Sequence, residues 1–120
     1  MAKKILIIED EKPLSKALQL KLQGSEFEVD FAFNGQDGLD KLKAQSYDLV
    51  LLDLVMPVLD GFSVLENIKK EKISSSVIVL SNLGQESDRE KVEKLGAKGF
   101  FVKSNTPISD LVDHVNELLK

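Results

Sequence analysis

The sequence contains no cysteine, no tryptophan and a single histidine. Without cysteine the chain can form neither a disulfide framework nor a thiolate metal site, and one histidine cannot supply a histidine-rich zinc centre. No apolar run approaches the roughly 20 residues that a membrane-spanning helix requires. The chain also turns acidic at Glu9, before the apolar core of a signal peptide could develop. We therefore expect a cytoplasmic protein that does not insert into a membrane.

The composition that remains is typical of one ordinary folded domain. The 120 residues are 42% hydrophobic and 30% charged, which is too apolar for a disordered chain. No linker, low-complexity tract or repeat divides them, so we expect a single domain over residues 1–120. Twenty acidic against 16 basic residues give a net charge of −4. This charge argues against direct binding to nucleic acid.

Short apolar segments of strand length alternate with segments of helical spacing. The strand segments are rich in β-branched or aromatic residues and cover residues 5–8, 29–33, 49–52, 77–80 and 100–102. Pro13 and Pro107 suit helix starts, whereas Gly24 and Gly96 suit helix ends. The alternation predicts an α/β fold with a doubly wound, five-stranded parallel sheet. In such folds the ligand crevice lies at the carboxyl ends of the strands.

Polar side chains follow four of the five predicted strands, and they should meet at this edge. They are Glu9, Asp10, Glu11, Asp53, Ser81, Asn82 and Lys103. Taken singly, each has a structural interpretation, such as a helix cap, a local hydrogen bond or a solvated charge. Taken together, the clustered carboxylates would repel one another unless a cation lies between them, and oxygen ligands suit Mg²⁺. The set predicts transfer of a phosphoryl group onto a carboxylate.

Four segments of the sequence together resemble the receiver domain of two-component response regulators. They are IIEDE, LVLLDLVMPVLDG, VIVLSN and GAKGFFVKSN, in this order along essentially the whole chain. The resemblance, to chemotaxis regulators in particular, implies a flavodoxin-like fold with strand order 2-1-3-4-5 and five helices. It also implies a phosphorylation-dependent signalling switch, which catalyses its own phosphorylation and slow dephosphorylation without turning over a separate substrate.

The resemblance assigns roles to several of the residues at the carboxyl edge. Asp53 is implied as the phosphoacceptor. Mg²⁺ is implied as the cofactor, with Asp10 as a direct ligand and Glu9 acting through water. The remaining metal ligands are Asp53 and the backbone carbonyl of Val55.

Three further residues are implied to sense the phosphoryl group. Ser81 and Lys103 should contact its oxygens, and Phe100 should swing inward when Ser81 moves. The surface that reads the change comprises the fourth helix, the fifth strand and the fifth helix, roughly residues 85–120. The implied phosphodonor is a sensor histidine kinase or a histidine phosphotransfer protein that docks near the first helix. The implied output is a separate effector protein or an output domain missing from this chain.

One departure from the family pattern lies next to the lysine. Ser104 follows Lys103 where the family usually has a proline that is preceded by a cis peptide bond. A cis peptide bond before a residue other than proline costs about 3 kcal/mol. The isomer of the Lys103–Ser104 peptide bond and the position of Lys103 therefore stay open.

Two-component signalling is not the only interpretation of the sequence. A receiver-like interaction module that is never phosphorylated stays open as an alternative. A flavodoxin-like cofactor carrier is disfavoured by the acidic EDEKP segment, and an aspartyl phosphatase by the lack of a cap domain.

Two apolar residues are implied to control the lifetime of the phosphorylated state. In the family these positions lie two residues after the phosphoacceptor and two after the hydroxyl residue, which are Val55 and Leu83 here. Neither offers a polar group that could orient an attacking water. We therefore expect slow loss of the phosphoryl group.

Overall fold

A computed structural model describes residues 2–119, so Met1 and Lys120, the two ends of the predicted domain, lie outside the described residues. Five parallel strands form one sheet: β1 (Lys4–Ile8), β2 (Glu28–Ala32), β3 (Leu49–Leu52), β4 (Ser76–Ser81) and β5 (Gly99–Val102). The helices between and after them are α1 (Lys12–Gly24), α2 (Gly35–Ala44), α3 (Gly61–Lys70), α4 (Glu86–Lys94) and α5 (Ile108–Leu119). The strand order β2-β1-β3-β4-β5 confirms the predicted doubly wound α/β topology.

Both faces of the sheet are covered by helices. Successive side chains of a strand point to opposite faces, so Leu6 and Ile8 join the apolar cluster under α2, α3 and α4. Ile5 and Ile7 join the cluster under α1 and α5. All four side chains are fully buried. This two-sided burial explains why the central strands are continuous apolar runs without alternation.

The helices begin where the sequence provides capping groups. Asn34 and Asp60 precede α2 and α3, and each side chain accepts a hydrogen bond from a backbone N–H of the first turn at 2.8 Å. Pro13 lies in the first turn of α1, as predicted. Pro107 lies directly before α5, and its carbonyl accepts the N–H groups of two residues of that helix. Side-chain caps therefore mark where the loops after β2 and β3 end and the helices begin.

The helix ends differ from the prediction at one glycine. Gly96 follows α4 with a φ of +99°, a left-handed conformation that favours glycine. Gly24 is still part of α1, and the left-handed residue there is Glu26, with a φ of 71°. The left-handed position in the turn after α1 is therefore occupied by Glu26 and not by Gly24. Among residues 2–119, the helices are too short or too polar to cross a membrane.

Candidate functional site

Strand register brings the predicted site residues to one edge of the sheet. Ile8 of β1 pairs with Leu52 of β3, so the next residues, Glu9 and Asp53, begin neighbouring loops. The Asp53 N–H donates to the carbonyl of Ile8 at 3.0 Å, which ties the two loops together. On the other side of β3, the last residue of β4 pairs with Val102 of β5. The residue after β5 therefore reaches the same edge.

A cavity of about 330 Å³ opens between these strand ends. Its lining residues are Asp10, Glu11, Asp53, Val55, Ser81, Asn82 and Lys103. Six of these residues are ones that the sequence places just past the predicted strands, whereas Val55 enters only through the resemblance. Parallel pairing brings the strand ends together. The cavity is large enough for a small anion together with water molecules.

Three carboxylates of this edge lie close enough to share one cation. Glu9, Asp10 and Asp53 each offer an oxygen within 4.8 Å of the other two. Glu9 and Asp53 are only 2% and 4% exposed, so their charges are poorly solvated by bulk water. Because the donors are all carboxylate oxygens and the cavity has room for water ligands, the set fits a hard divalent cation such as Mg²⁺.

The ammonium group of Lys103 lies within contact distance of three carboxylates. Its Nζ is 2.8 Å from Glu9 Oε1, 2.6 Å from Glu11 Oε2 and 3.2 Å from Asp53 Oδ2. The Lys103–Ser104 peptide bond is trans, and a short 3₁₀ turn over Lys103–Asn105 follows β5. Ser104, which stands where the family usually has proline, therefore does not keep Lys103 away from Asp53.

The electrostatics of the site leave negative charge uncompensated. Burial raises the pKa of Glu9 to about 7, against the opposing effects of Lys103 and the Glu11 N–H, and the charge of Asp53 raises it further. Burial also raises the pKa of Asp53, although Lys103 opposes this. For Lys103, burial disfavours the charged form, but hydrogen bonds to Glu11 and Glu9 outweigh it and raise the pKa. One lysine does not balance these carboxylates, so the electrostatics of the site favour a further cation.

The hydroxyl residue and the aromatic residue occupy different surroundings. Ser81 is fully buried at the end of β4, and its Oγ accepts a hydrogen bond from the Leu83 N–H at 3.2 Å. Phe100 is 6% exposed and packs in the core cluster under α2, α3 and α4. The Arg89 guanidinium of α4 covers its ring, 4.9 Å from the ring centroid. Phe100 therefore already lies in an inward, packed position, so the structure does not show the outward position from which the resemblance implies an inward swing.

The loop after β3 holds Asp53 through close backbone contacts. The Gly61 N–H donates to the carbonyl of Leu54 at 2.9 Å, which closes the loop onto its own start. A Cβ atom added at Gly61 would lie 2.2 Å from the Asp53 carbonyl oxygen, so only glycine allows this approach. Val58, at the tip of the loop, is 78% exposed and has a φ of 71°. This conformation is unfavourable for a β-branched residue.

Sequence reasoning missed two of the contacts around the site. Glu11 occupies the N-cap position of α1, but its side chain caps nothing there and instead binds Lys103. These two residues are 92 positions apart, so no local pattern connects them. The contact between Arg89 and Phe100 was also not predicted, because the helical pattern of α4 does not show which side chain reaches β5.

Comparisons with known proteins agree with this geometry. A family model described as the response regulator receiver domain matches residues 5–116. The transcriptional regulatory protein DltR of Streptococcus agalactiae is 36% identical over 100 residues, which cover 83% of this chain and 45% of DltR. The chain spans about half the length of the curated relatives it matches.

Solved structures share the fold over nearly the whole chain. The receiver domain of the Francisella response regulator 1452 has a TM-score of 0.90 and 29% identity, covering 97% of this chain and 95% of that one. The CheX–CheY–BeF₃–Mg²⁺ complex from Borrelia burgdorferi has a TM-score of 0.90 and 29% identity, covering 98% and 90%.

Proposed function

Because this chain belongs to the response regulator receiver domain family, we propose that it is a signalling switch in which Asp53 accepts a phosphoryl group from a phosphohistidine. Phosphorylation and Mg²⁺ are typical of this family. The observation that carries the proposal is the position of Asp53, buried at an acidic cavity with Lys103 Nζ 3.2 Å from its Oδ2. The donor is a sensor histidine kinase or a histidine phosphotransfer protein, and residues 1–120 act as one receiver domain.

The residues around the cavity can support this transfer. An Asp53 oxygen forms a bond to phosphorus while the bond between phosphorus and the imidazole nitrogen breaks, and the electron pair stays on the imidazole. Lys103 pairs with a phosphoryl oxygen, and Ser81 turns its hydroxyl hydrogen toward another. Glu9, Asp10, Asp53 and the Val55 carbonyl would hold Mg²⁺, which neutralises charge on the phosphoryl oxygens when it is bound.

Phosphorylation would reach a partner through the packing of β4 and β5. A phosphoryl group adds a charge of about −1.5 to −2, which draws Ser81 and Lys103 toward Asp53. Ser81 lies two residues after Val79, the β4 residue that pairs with Phe100, so movement of Ser81 would change the packing around this ring. The Phe100 ring has no hydroxyl and can signal only through packing. The affected surface is formed by α4, β5 and α5, and its output partner is an effector protein or an attached output domain.

Mass spectrometry tests the proposal directly. The protein is incubated with Mg²⁺ and a small-molecule phosphodonor, and Asp53→Asn is treated in parallel. We expect a mass increase of one phosphoryl group in the wild type, which is absent in the variant and when EDTA replaces Mg²⁺. No increase in either protein would contradict the switch and support an interaction module that is not phosphorylated.

A further inference from the structure

The shortest ion pair of Lys103 is made with a residue outside the implied reaction machinery. Glu11 Oε2 lies 2.6 Å from Lys103 Nζ, which is closer than either Glu9 or Asp53. We propose that Glu11 is a positioning residue that holds Lys103 in the unphosphorylated protein and competes with the phosphoryl group for it when Asp53 is phosphorylated. The inference rests on the proposed function, because it names what opposes the phosphorylated state at the same site.

Phosphorylation changes which anions share the ammonium group. A lysine ammonium has three N–H donors, and three carboxylates lie around this one. When an Asp53 oxygen bonds to phosphorus, this carboxylate loses its charge, and the donor that it accepted passes to a phosphoryl oxygen. Glu9 and Glu11 then compete with the more highly charged phosphoryl group for Lys103, and the contact that weakens sets an energetic cost against the phosphorylated state.

Burial decides which of these two contacts weakens. The side chain of Glu9 is 3% exposed, so losing the ammonium would leave a poorly solvated charge. The Glu11 side chain is 55% exposed, so water can replace the ammonium at its carboxylate. Glu9 is also tied in place, because its Oε2 accepts the Glu11 N–H at 2.9 Å. Glu11 is thus the carboxylate that releases Lys103 at least cost.

Removing the Glu11 contact should therefore favour the phosphorylated state. Ion pairs with one exposed partner typically contribute a factor of about two to five in an equilibrium constant. We expect Glu11→Gln to bind beryllofluoride, a phosphoryl analogue, about two- to fivefold more tightly than the wild type at a fixed Mg²⁺ concentration. The backbone N–H that holds Glu9 is retained in this variant.

Isothermal titration with beryllofluoride at saturating Mg²⁺ provides the test, with two matched variants. Glu66→Gln removes the same charge from an exposed position on α3 and should leave the affinity unchanged. Glu11→Asp keeps the charge but shortens the side chain by one methylene, which withdraws the carboxylate from Lys103. We therefore expect Glu11→Asp also to bind beryllofluoride more tightly than the wild type. Neither a purely structural role of Glu11 nor a general effect of net charge predicts this result.

The outcomes separate this inference from the proposed function. If the wild type binds beryllofluoride and Glu11→Gln binds it equally or more weakly, Glu11 does not restrain Lys103. If Glu11→Gln gains affinity but Glu11→Asp matches the wild type, the effect comes from overall charge, and the specific contact is refuted. If the wild type neither binds beryllofluoride nor gains a phosphoryl group, the proposed function fails and this inference fails with it.

Discussion

The buried carboxyl of Glu9 should make the metal-free protein less stable as the pH rises through neutrality. Its pKa is raised from 4.5 to about 7 in the folded protein, mainly by burial. A group whose pKa is raised on folding binds its proton more tightly in the folded state. Its stabilising contribution is therefore fully present below pH 4.5 and is lost as the pH rises through about 7.

The size of this effect follows from the pKa shift. Each pKa unit corresponds to about 1.4 kcal/mol, so the shift amounts to roughly 3 kcal/mol of unfolding free energy. Of this, about 2 to 3 kcal/mol is lost between pH 5 and pH 8. Lys103 adds no slope in this window, because its pKa is raised from 10.5 and it stays protonated throughout. The Glu9 side chain is 3% exposed, so solvent screens little of the effect.

Urea denaturation in EDTA measures the slope, with far-UV circular dichroism as the signal because the chain has no tryptophan. Glu9→Gln mimics the protonated carboxyl at every pH. We expect the free energy of unfolding of the variant, relative to that of the wild type, to rise by about 2 to 3 kcal/mol between pH 5 and pH 8. Glu66→Gln changes an exposed residue and serves as the control, and its unfolding free energy should depend on pH in the same way as that of the wild type. Added Mg²⁺ should stabilise the wild type at pH 8 more than Glu9→Gln.

Parallel pH profiles for the wild type and Glu9→Gln would refute the reasoning. They would mean that Glu9 titrates alike in the folded and unfolded chain, and that burial does not raise its pKa. A gain for Glu9→Gln that Glu66→Gln reproduces would instead indicate a general effect of net charge. Equal stabilisation of wild type and Glu9→Gln by Mg²⁺ would argue against Glu9 as part of the metal site.

Three further predictions concern the loop after β3. Gly61→Ala places a Cβ atom 2.2 Å from the Asp53 carbonyl oxygen, so it should cost about 1–3 kcal/mol in urea denaturation, and an unchanged midpoint would contradict this. Val58→Gly should raise the free energy of unfolding by about 1 kcal/mol, because glycine accepts a φ of 71° without strain, and a destabilised variant would argue against strain at this position. Val55→Asn should shorten the lifetime of the phosphorylated protein in a decay assay, because the amide can orient water at a position that is 60% exposed and now apolar. An unchanged or longer lifetime would contradict that role.

The sequence by itself determined the fold and which polar residues meet at the carboxyl edge of the sheet. The segment 5–8 was predicted as a central strand, and β1 covers Lys4–Ile8, because burial on both faces of a parallel sheet requires a continuous apolar run. The same logic places Glu9, Asp53 and Lys103 at one edge of the sheet, since parallel strands share a carboxyl edge.

Only the tertiary structure decided how these groups interact. Glu11 is adjacent to the acidic pair in sequence, yet its contact with Lys103 joins residues 92 positions apart. The raised pKa of Glu9 depends on burial by the surrounding site and on the charges of Asp53 and Lys103, which come from two other loops. The left-handed conformation of Val58 arises because the loop must close from Leu54 to Gly61. Local patterns record which face a residue presents, whereas distances and burial depend on how distant segments pack.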